Sequence, residues 1–190
     1  MLSDSDIAKE CLQDKRAAQK ELYDRYIKKM HAVCRRYISD KEEIKDILQE
    51  SFIKVFANIG KYKGEGPLEA WIRRIIVNTT LTSMRKNKST IFVRTEETEV
   101  ENNNITEEEE ESIFNTDFDK TALMNAIESL PENYRIVFNL YCLENYSHKE
   151  ISELLSMKEE SSRTRLKRAR KMLQEQLLIM HKESLAKQNL

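Results

Sequence analysis

The stretch YSHKEISELLSMKEESSRTRLKRARKML, residues 146–173, decides the fold. Ser147 followed three residues later by Glu150 has the spacing of a capping box, in which two side chains satisfy orphan backbone donors reciprocally. It predicts a helix over 147–155. Only Ser156, Met157 and Lys158 separate that helix from a second one over about 159–180. Two helices on a three-residue turn have the layout of a helix-turn-helix, whose second helix is aimed at a major groove. At ~100° per residue, Leu166, Ala169 and Leu173 share an inward side of the second helix. Thr164, Lys167, Arg168 and Lys171 fall opposite. Residues 163–171 hold six bases among nine positions and no acid. A basic helix can simply complement its own dipole at the C-terminal end. Arg163, however, stands near the start, where cations are disfavoured. Cations with a hydroxyl on one outward face suit a duplex: the cations meet phosphates and guanine edges, and the hydroxyl meets either.

Upstream, Leu123, Ile127 and Leu130 keep helical spacing until Pro131, and a helix over 132–143 carries Val137, Phe138 and Tyr141 on its apolar face. Before these the pattern stops. Residues 91–120 contain eleven acids and two bases, a net of −9 in a chain whose total is −1, so the remainder carries +8. The segment from Lys86 to about Asp117 is polar and rich in Asn and Glu. It cannot bury enough apolar surface to offset chain ordering and is expected to be a flexible acidic linker. Two basic helices flanking such a strip suggest nucleic-acid contacts on either side of it. Each run taken alone also fits a solvated helix face.

The N-terminal part divides into three helices. Leu22, Tyr23, Tyr26, Met30, Val33, Cys34 and Tyr37 repeat at helical spacing within 15–38. Asp40 is the expected N-cap of a helix running to about Ile59 and ended by Gly60. Pro67, after a loop with two glycines, suits the first turn of a third helix ending near Arg85. In the second helix Ile44, Ile47, Leu48, Phe52, Val55, Phe56 and Ile59 form the inward stripe. Asp46, Gln49, Glu50 and Ile53 lie opposite, and an apolar centre with a polar rim is how protein interfaces are built. In the third helix Leu68, Ile72, Ile75, Ile76 and Thr79 lie inward. Arg74, Asn78, an exposed Leu81 and Arg85 line another side, beside Trp71, a residue of either core or site. Cations, an amide and an aromatic near a glycine-flanked loop suit unpaired bases better than rigid duplex.

Charged residues make up 34% of 190, while Gly and Pro total five, too few for a β-sandwich. The fold class is therefore all-α: two small helical domains joined by the acidic linker, with the helix-turn-helix at the C-terminal side. The boundaries are 1–88, 89–119 and 120–190. No stretch approaches the ~18 apolar residues of a membrane span, and the start lacks the pattern of a secretory signal. Membrane insertion is not expected; a cytoplasmic location is. Cys11, Cys34 and Cys142 are too few and too scattered for a disulfide framework or a zinc knuckle and fit small buried hydrophobes. His31, His148 and His181 fit helix-surface positions. Catalysis wants converging nucleophile, base and orienting groups, or a metal set; none is visible. No catalytic residue, cofactor or metal ligand is expected.

These residues resemble a family. The run 46–56 (DILQESFIKVF), Tyr-Lys-Gly-Glu at 62–65, Trp-Ile-Arg-Arg-Ile at 71–75 and Asn78 resemble region two of extracytoplasmic-function (ECF) sigma factors. Leu-Pro-Glu-Asn-Tyr-Arg at 130–135, Tyr-Ser-His-Lys-Glu-Ile at 146–151 and the run 163–170 resemble their region four, in a style similar to factors of Bacteroidetes-type bacteria. A glycine is usual in that family where Ser156 and Glu160 stand. The resemblance implies that Asp46, Gln49, Glu50 and Ile53 dock the clamp helices of the RNA polymerase β′ subunit. It implies that Tyr62, Lys63, Gly64, Glu65, Arg74, Asn78 and Arg85 hold the −10 element as single-stranded DNA. Arg163, Thr164, Lys167, Arg168 and Lys171 would recognise the −35 duplex. The β flap and an anti-sigma factor are further implied partners, and the acidic linker would thread towards the RNA channel. Other readings of the same residues are a conventional helix-turn-helix regulator with an N-terminal sensor or dimeriser, a helical adaptor, and, least consistent with them, an enzyme.

Overall fold

Four helices build the N-terminal part of the chain: α1 (Asp4–Leu12), α2 (Arg16–Arg35), α3 (Lys41–Asn58) and α4 (Leu68–Asn87). Among the described residues, four more follow: α5 (Lys120–Ser129), α6 (Glu132–Phe138), α7 (His148–Leu155) and α8 (Glu159–Gln188). The computed structural model describes residues 3–87 and 120–188, with side chains over 3–86 and 122–180. The two sets form separate units divided at residue 89. Among the described residues there is no strand, and the segment expected to be the linker lies outside them.

Helix α1 is an element that apolar periodicity alone does not announce. Ser3 caps it by accepting a hydrogen bond from the Asp6 amide at 3.1 Å. Two acids in the first turn, Asp4 and Asp6, suit the positive end of the helix dipole. Ile7 and Cys11 are fully buried, and burying an isoleucine contributes roughly 1.5–3 kcal/mol. Asp4 then ties α1 to α2, accepting from the Tyr26 hydroxyl at 2.7 Å and the Arg25 guanidinium at 3.0 Å.

Helix α2 buries Ala18, Leu22, Tyr26, Met30, Val33 and Cys34. Tyr23, expected in the same stripe, is exposed, its ring lying over Phe52 with centroids 4.8 Å apart. Helix α3 starts where expected: the Asp40 carboxylate accepts from the amides of Glu42 and Glu43 at 2.8 and 2.9 Å. Its end tightens into a 3₁₀ turn, Ile59–Lys61. A Cβ placed on Gly60 would stand 3.1 Å from a Leu12 methyl, so glycine lets α1 approach this turn.

Helix α4 departs from expectation in the width of its buried face. It packs against both α2 and α3. Val77, Thr80, Leu81 and Met84 are therefore buried along with Leu68, Ile72, Ile76 and Thr79. Leu81, expected to be exposed, is 1% accessible, and Ile75, expected inward, is partly exposed. A helix wedged between two neighbours buries more than half its circumference, so the solvent side shrinks to a line near Trp71, Asn78 and Thr82.

The second unit is organised around α6 and α8. Pro131 ends α5 and starts α6, its carbonyl accepting from the amides of Tyr134 and Arg135. The single helix expected over 132–143 is α-helical only to Phe138. It continues as a π-helical turn, Asn139–Leu143, in which the Glu144 amide reaches back five residues to the Asn139 carbonyl at 3.0 Å. Residues 136–140 are all buried, which accounts for the weak periodicity there. Ala126, Ile127, Ile151, Leu155, Leu166, Ala169, Leu173 and Leu177 complete the core.

Candidate nucleic-acid and partner interfaces

The first face lies on α3. Ile44, Ile47, Leu48, Ser51, Phe52 and Val55 are buried, which turns Asp46, Gln49, Glu50 and Ile53 to solvent. Phe56 of the expected stripe is only half-buried. Ile53 is 62% accessible. Lys54 pairs with Glu50 at 2.6 Å, and its hydrogen bond holds the Glu50 carboxyl below the usual range. The same ammonium reaches Thr79 on α4 at 3.3 Å. Lys54 therefore links this face to the next.

The second face is an open groove of about 470 Å³ between α3 and α4, walled by Lys54, Asn58, Lys61, Trp71, Ile75, Asn78, Thr79 and Thr82. Trp71 is half-buried, so its indole belongs to both core and groove. Tyr62 stands against it with ring centroids 5.9 Å apart. The Tyr62 hydroxyl donates to the Gly66 carbonyl at 2.6 Å and closes the loop. Gly64 takes φ +77 there, a backbone region that glycine enters without steric cost, and Lys63, Gly64 and Glu65 are exposed. Of the residues expected at this site, Asn78 is in the groove wall. Tyr62 abuts it through Trp71, while Arg74 and Arg85 are not among its lining residues. Lys54, Asn58, Lys61 and Thr82 were not anticipated. The spacing Glu50–Lys54–Asn58, four residues each time, is the signal that places a polar line along the edge of α3. An aromatic wall, an apolar side chain, two amides and two cations together suit stacking and hydrogen bonding of an unpaired base.

The third face is the helix-turn-helix. The capping box is formed: the Glu150 amide donates to the Ser147 hydroxyl at 3.2 Å, and the Ser147 amide to the Glu150 carboxylate at 3.0 Å. Ser156 closes α7 in the left-handed conformation, φ 52 and ψ 45. That conformation explains why glycine is the usual occupant of such a turn. On α8, Leu166, Ala169 and Leu173 are buried as expected. Arg163, Thr164, Lys167 and Lys171 are exposed, with Arg168 partly so. Arg163 forms an ion pair with Glu159 one turn earlier. His148 is not the surface residue expected. It is half-buried, stacked on Tyr141 with centroids 4.5 Å apart, and 2.9 Å from the Ser162 hydroxyl through Nδ1.

Cys11 and Cys34 are buried and Cys142 partly so. Burial pushes the Cys34 thiol up to about 11, far from reactive thiolate character. No group of His, Cys, Asp and Glu among the described residues is arranged to hold a metal. No helix among them is long and apolar enough to cross a membrane.

Known proteins align with both units. The sigma-70 region 2 family matches residues 22–90, and the sigma-70 region 4 family matches residues 120–173. The ECF RNA polymerase sigma-E factor of Haemophilus influenzae is 28% identical over 93% of this chain and 96% of its own. The ECF RNA polymerase sigma factor SigW of Bacillus subtilis is 28% identical over 83% of this chain and 87% of its own. In fold, the chain is similar to the sigma factor RpoE solved with the anti-sigma factor NepR from Bartonella quintana. The TM-score is 0.50 at 19% identity, over 84% of this chain and 96% of that one. With both sigma-70 regions present in order, and ECF factors matched along nearly the whole length, the chain belongs to the sigma-70 family as an RNA polymerase sigma factor of the ECF class, a factor of transcription initiation.

Proposed function

We propose that the three faces divide the work of initiation. The α3 face, Asp46, Gln49, Glu50 and Ile53, docks the clamp helices of the polymerase β′ subunit. The groove, the 62–67 loop and Asn78 hold bases of the −10 element once the strands part, with Arg74 and Arg85 flanking on phosphates. Arg163, Thr164, Lys167, Arg168 and Lys171 of α8 recognise the −35 duplex while the same unit engages the β flap. An anti-sigma factor, as in the complex of the RpoE relative, is the partner that would hold the protein inactive, and the site of action is the cytoplasm with the polymerase. The boundaries 1–88, 89–119 and 120–190 follow this division into core binding and melting, linker, and duplex recognition.

One observation carries the reading: Ile53 is 62% accessible among exposed Asp46, Gln49 and Glu50, on the solvent side of α3. An exposed aliphatic ringed by polar groups is inexpensive to desolvate and forms a small interface centre. Ile53→Arg is expected to abolish association with purified core polymerase while leaving the circular dichroism spectrum unchanged. An unfolded variant would place Ile53 in the core. A folded variant with undiminished association would remove α3 as the docking face.

A further inference from the structure

Ser162 lies in the second turn of α8, between the buried face of that helix and its DNA-facing residues Arg163 and Thr164, and it is 0% accessible. A hydroxyl so buried requires a partner, and His148, the first residue of α7, supplies one at 2.9 Å from Nδ1. The imidazole is held in turn by Tyr141 of the π-helical turn, stacked at 22° between the ring planes. The Arg170 guanidinium from farther along α8 lies 5.9 Å from the centre of the same tyrosine ring. Three elements of the unit therefore meet at one side chain.

We propose that His148 is the positioning residue of the recognition helix: its neutral imidazole pins α8 through Ser162, and charging the ring loosens the pin and weakens sequence-specific duplex recognition. The inference rests on the assignment of α8 to the −35 element. Rotation of α8 about its own axis is the motion this bond resists. At a side-chain tip roughly 5–6 Å from the axis, a turn of about 10° moves a donor by about 1 Å, a third of a hydrogen-bond length. A neutral Nδ1 that accepts the Ser162 proton loses that bond when the ring is charged, since a charged ring can only donate, and the new charge then stands beside Arg163 and Arg170. The charged groups facing the imidazole are Arg163 and Glu159 in the first turns of α8 and Arg170 beyond them, with Tyr141 on the π-helical turn. Burial, and next Arg163, lowers the His148 pKa, with Arg170 acting in the same direction and Glu159 opposing. The unfolded chain therefore binds the proton first. As pH falls through the unfolded value, this unit loses stability until the folded pKa is passed.

The test uses holoenzyme assembled from core polymerase and the full chain, with a duplex enriched by the wild type from a randomised pool and a scrambled duplex as reference. Extra positive charge strengthens binding to any duplex, so the ratio of the two affinities is the readout. For the wild type, that ratio is expected to fall about five-fold or more between about pH 7.5 and about pH 5.5. His148→Asn, whose amide reaches the Nδ1 position without titrating, is expected to keep the wild-type ratio at the higher pH and lose the pH dependence. His148→Phe keeps the ring on Tyr141 but no acceptor, and is expected to show a reduced ratio at both. A wild-type pH profile in His148→Asn, or a wild-type ratio in a folded His148→Phe, overturns the proposal; if the phenylalanine variant unfolds, the asparagine variant decides. If the wild type enriches no duplex, the −35 assignment falls instead. Hydrogen exchange of residues 159–166 in the full chain then decides the pin: protection must drop at low pH in the wild type and not in His148→Asn, and equal behaviour overturns it.

Discussion

Ser156→Gly should stabilise the C-terminal unit, and the amount follows from the backbone. Ser156 sits at φ 52 and ψ 45, with the Met157 amide closing the turn onto the Ser152 carbonyl at 3.0 Å. An L-residue in that conformation costs roughly 1–2 kcal/mol that glycine avoids. Glycine returns about 0.4–1 kcal/mol of this through its freer unfolded chain. The balance is about 0.5–1 kcal/mol in favour of the variant, which for a unit of this size is about 3–6 °C in melting temperature. Trp71 is the single tryptophan and lies in the N-terminal unit, so its fluorescence serves as an internal control that should not move. Hydrogen exchange of α7 and α8 amides in the full chain reports the other unit. Ser156→Ala keeps the left-handed penalty and should be no more stable than wild type. If alanine stabilises as much as glycine, the hydroxyl and not the dihedral is responsible, and the reasoning fails. If glycine destabilises, Ser156 is not strained in solution.

The two faces proposed to meet DNA should fail differently. Arg168→Ala or Lys167→Ala should weaken −35 recognition by about 1–3 kcal/mol where a bidentate base contact is lost. Asn78→Ala should leave closed-complex binding nearly intact and impair strand opening. A pre-opened bubble template should rescue Asn78→Ala and not Arg168→Ala in run-off transcription; equal rescue of both removes the division. Glu69 bonds Lys29 and Arg73, and these contacts, the Lys29 bond first, lower its pKa. Its stabilising contribution is present above the unfolded carboxylate value and is lost as pH falls through the folded one. Acid unfolding of Glu69→Gln should accordingly begin from a lower stability at neutral pH and show a shallower limb than wild type; superimposable limbs would mean that the pair contributes nothing.

What was legible in the chain followed from local signals with one meaning. Asp40 before an apolar stripe, Ser147 with Glu150, and Leu166-Ala169-Leu173 each specify a cap or a face without knowledge of any neighbour, and each lies where its spacing predicts. The misplacements all depend on who the neighbours are. Leu81 is buried and Ile75 half-open because α4 has two partners, and a wheel drawn for one partner puts the boundary in the wrong place. Helix α1 was missed because nine residues carry too few apolar positions to show a period, although Ser3 and its two following acids mark its start. Groove residues Lys54 and Asn58 belong to the edge of a face read only at its centre. His148 looked like a solvated helix residue because its partner, Ser162, is itself polar, and polar pairs across helices leave no trace in hydrophobic patterning.

The π-helical turn at Asn139–Leu143 makes a length difference there unlike one in a loop. Its i+5 bond means that the chain carries one residue more than an α-helix would need over the same advance. Removing one residue from this turn would restore ordinary helical bonding over the same advance and leave later side chains near their present directions, whereas a deletion from a regular α-helix swings every later side chain by about 100° around the axis. Tyr146, buried and bonded through its amide to the Leu140 carbonyl at 2.9 Å, is the downstream residue whose burial would report the difference. Among descendants of this gene, single-residue deletions should therefore be tolerated at 139–143 more readily than within α2 or α3, where no surplus residue can absorb them. The extra residue acts as slack in the helical phase, which drift in sequence can take up without turning what lies downstream.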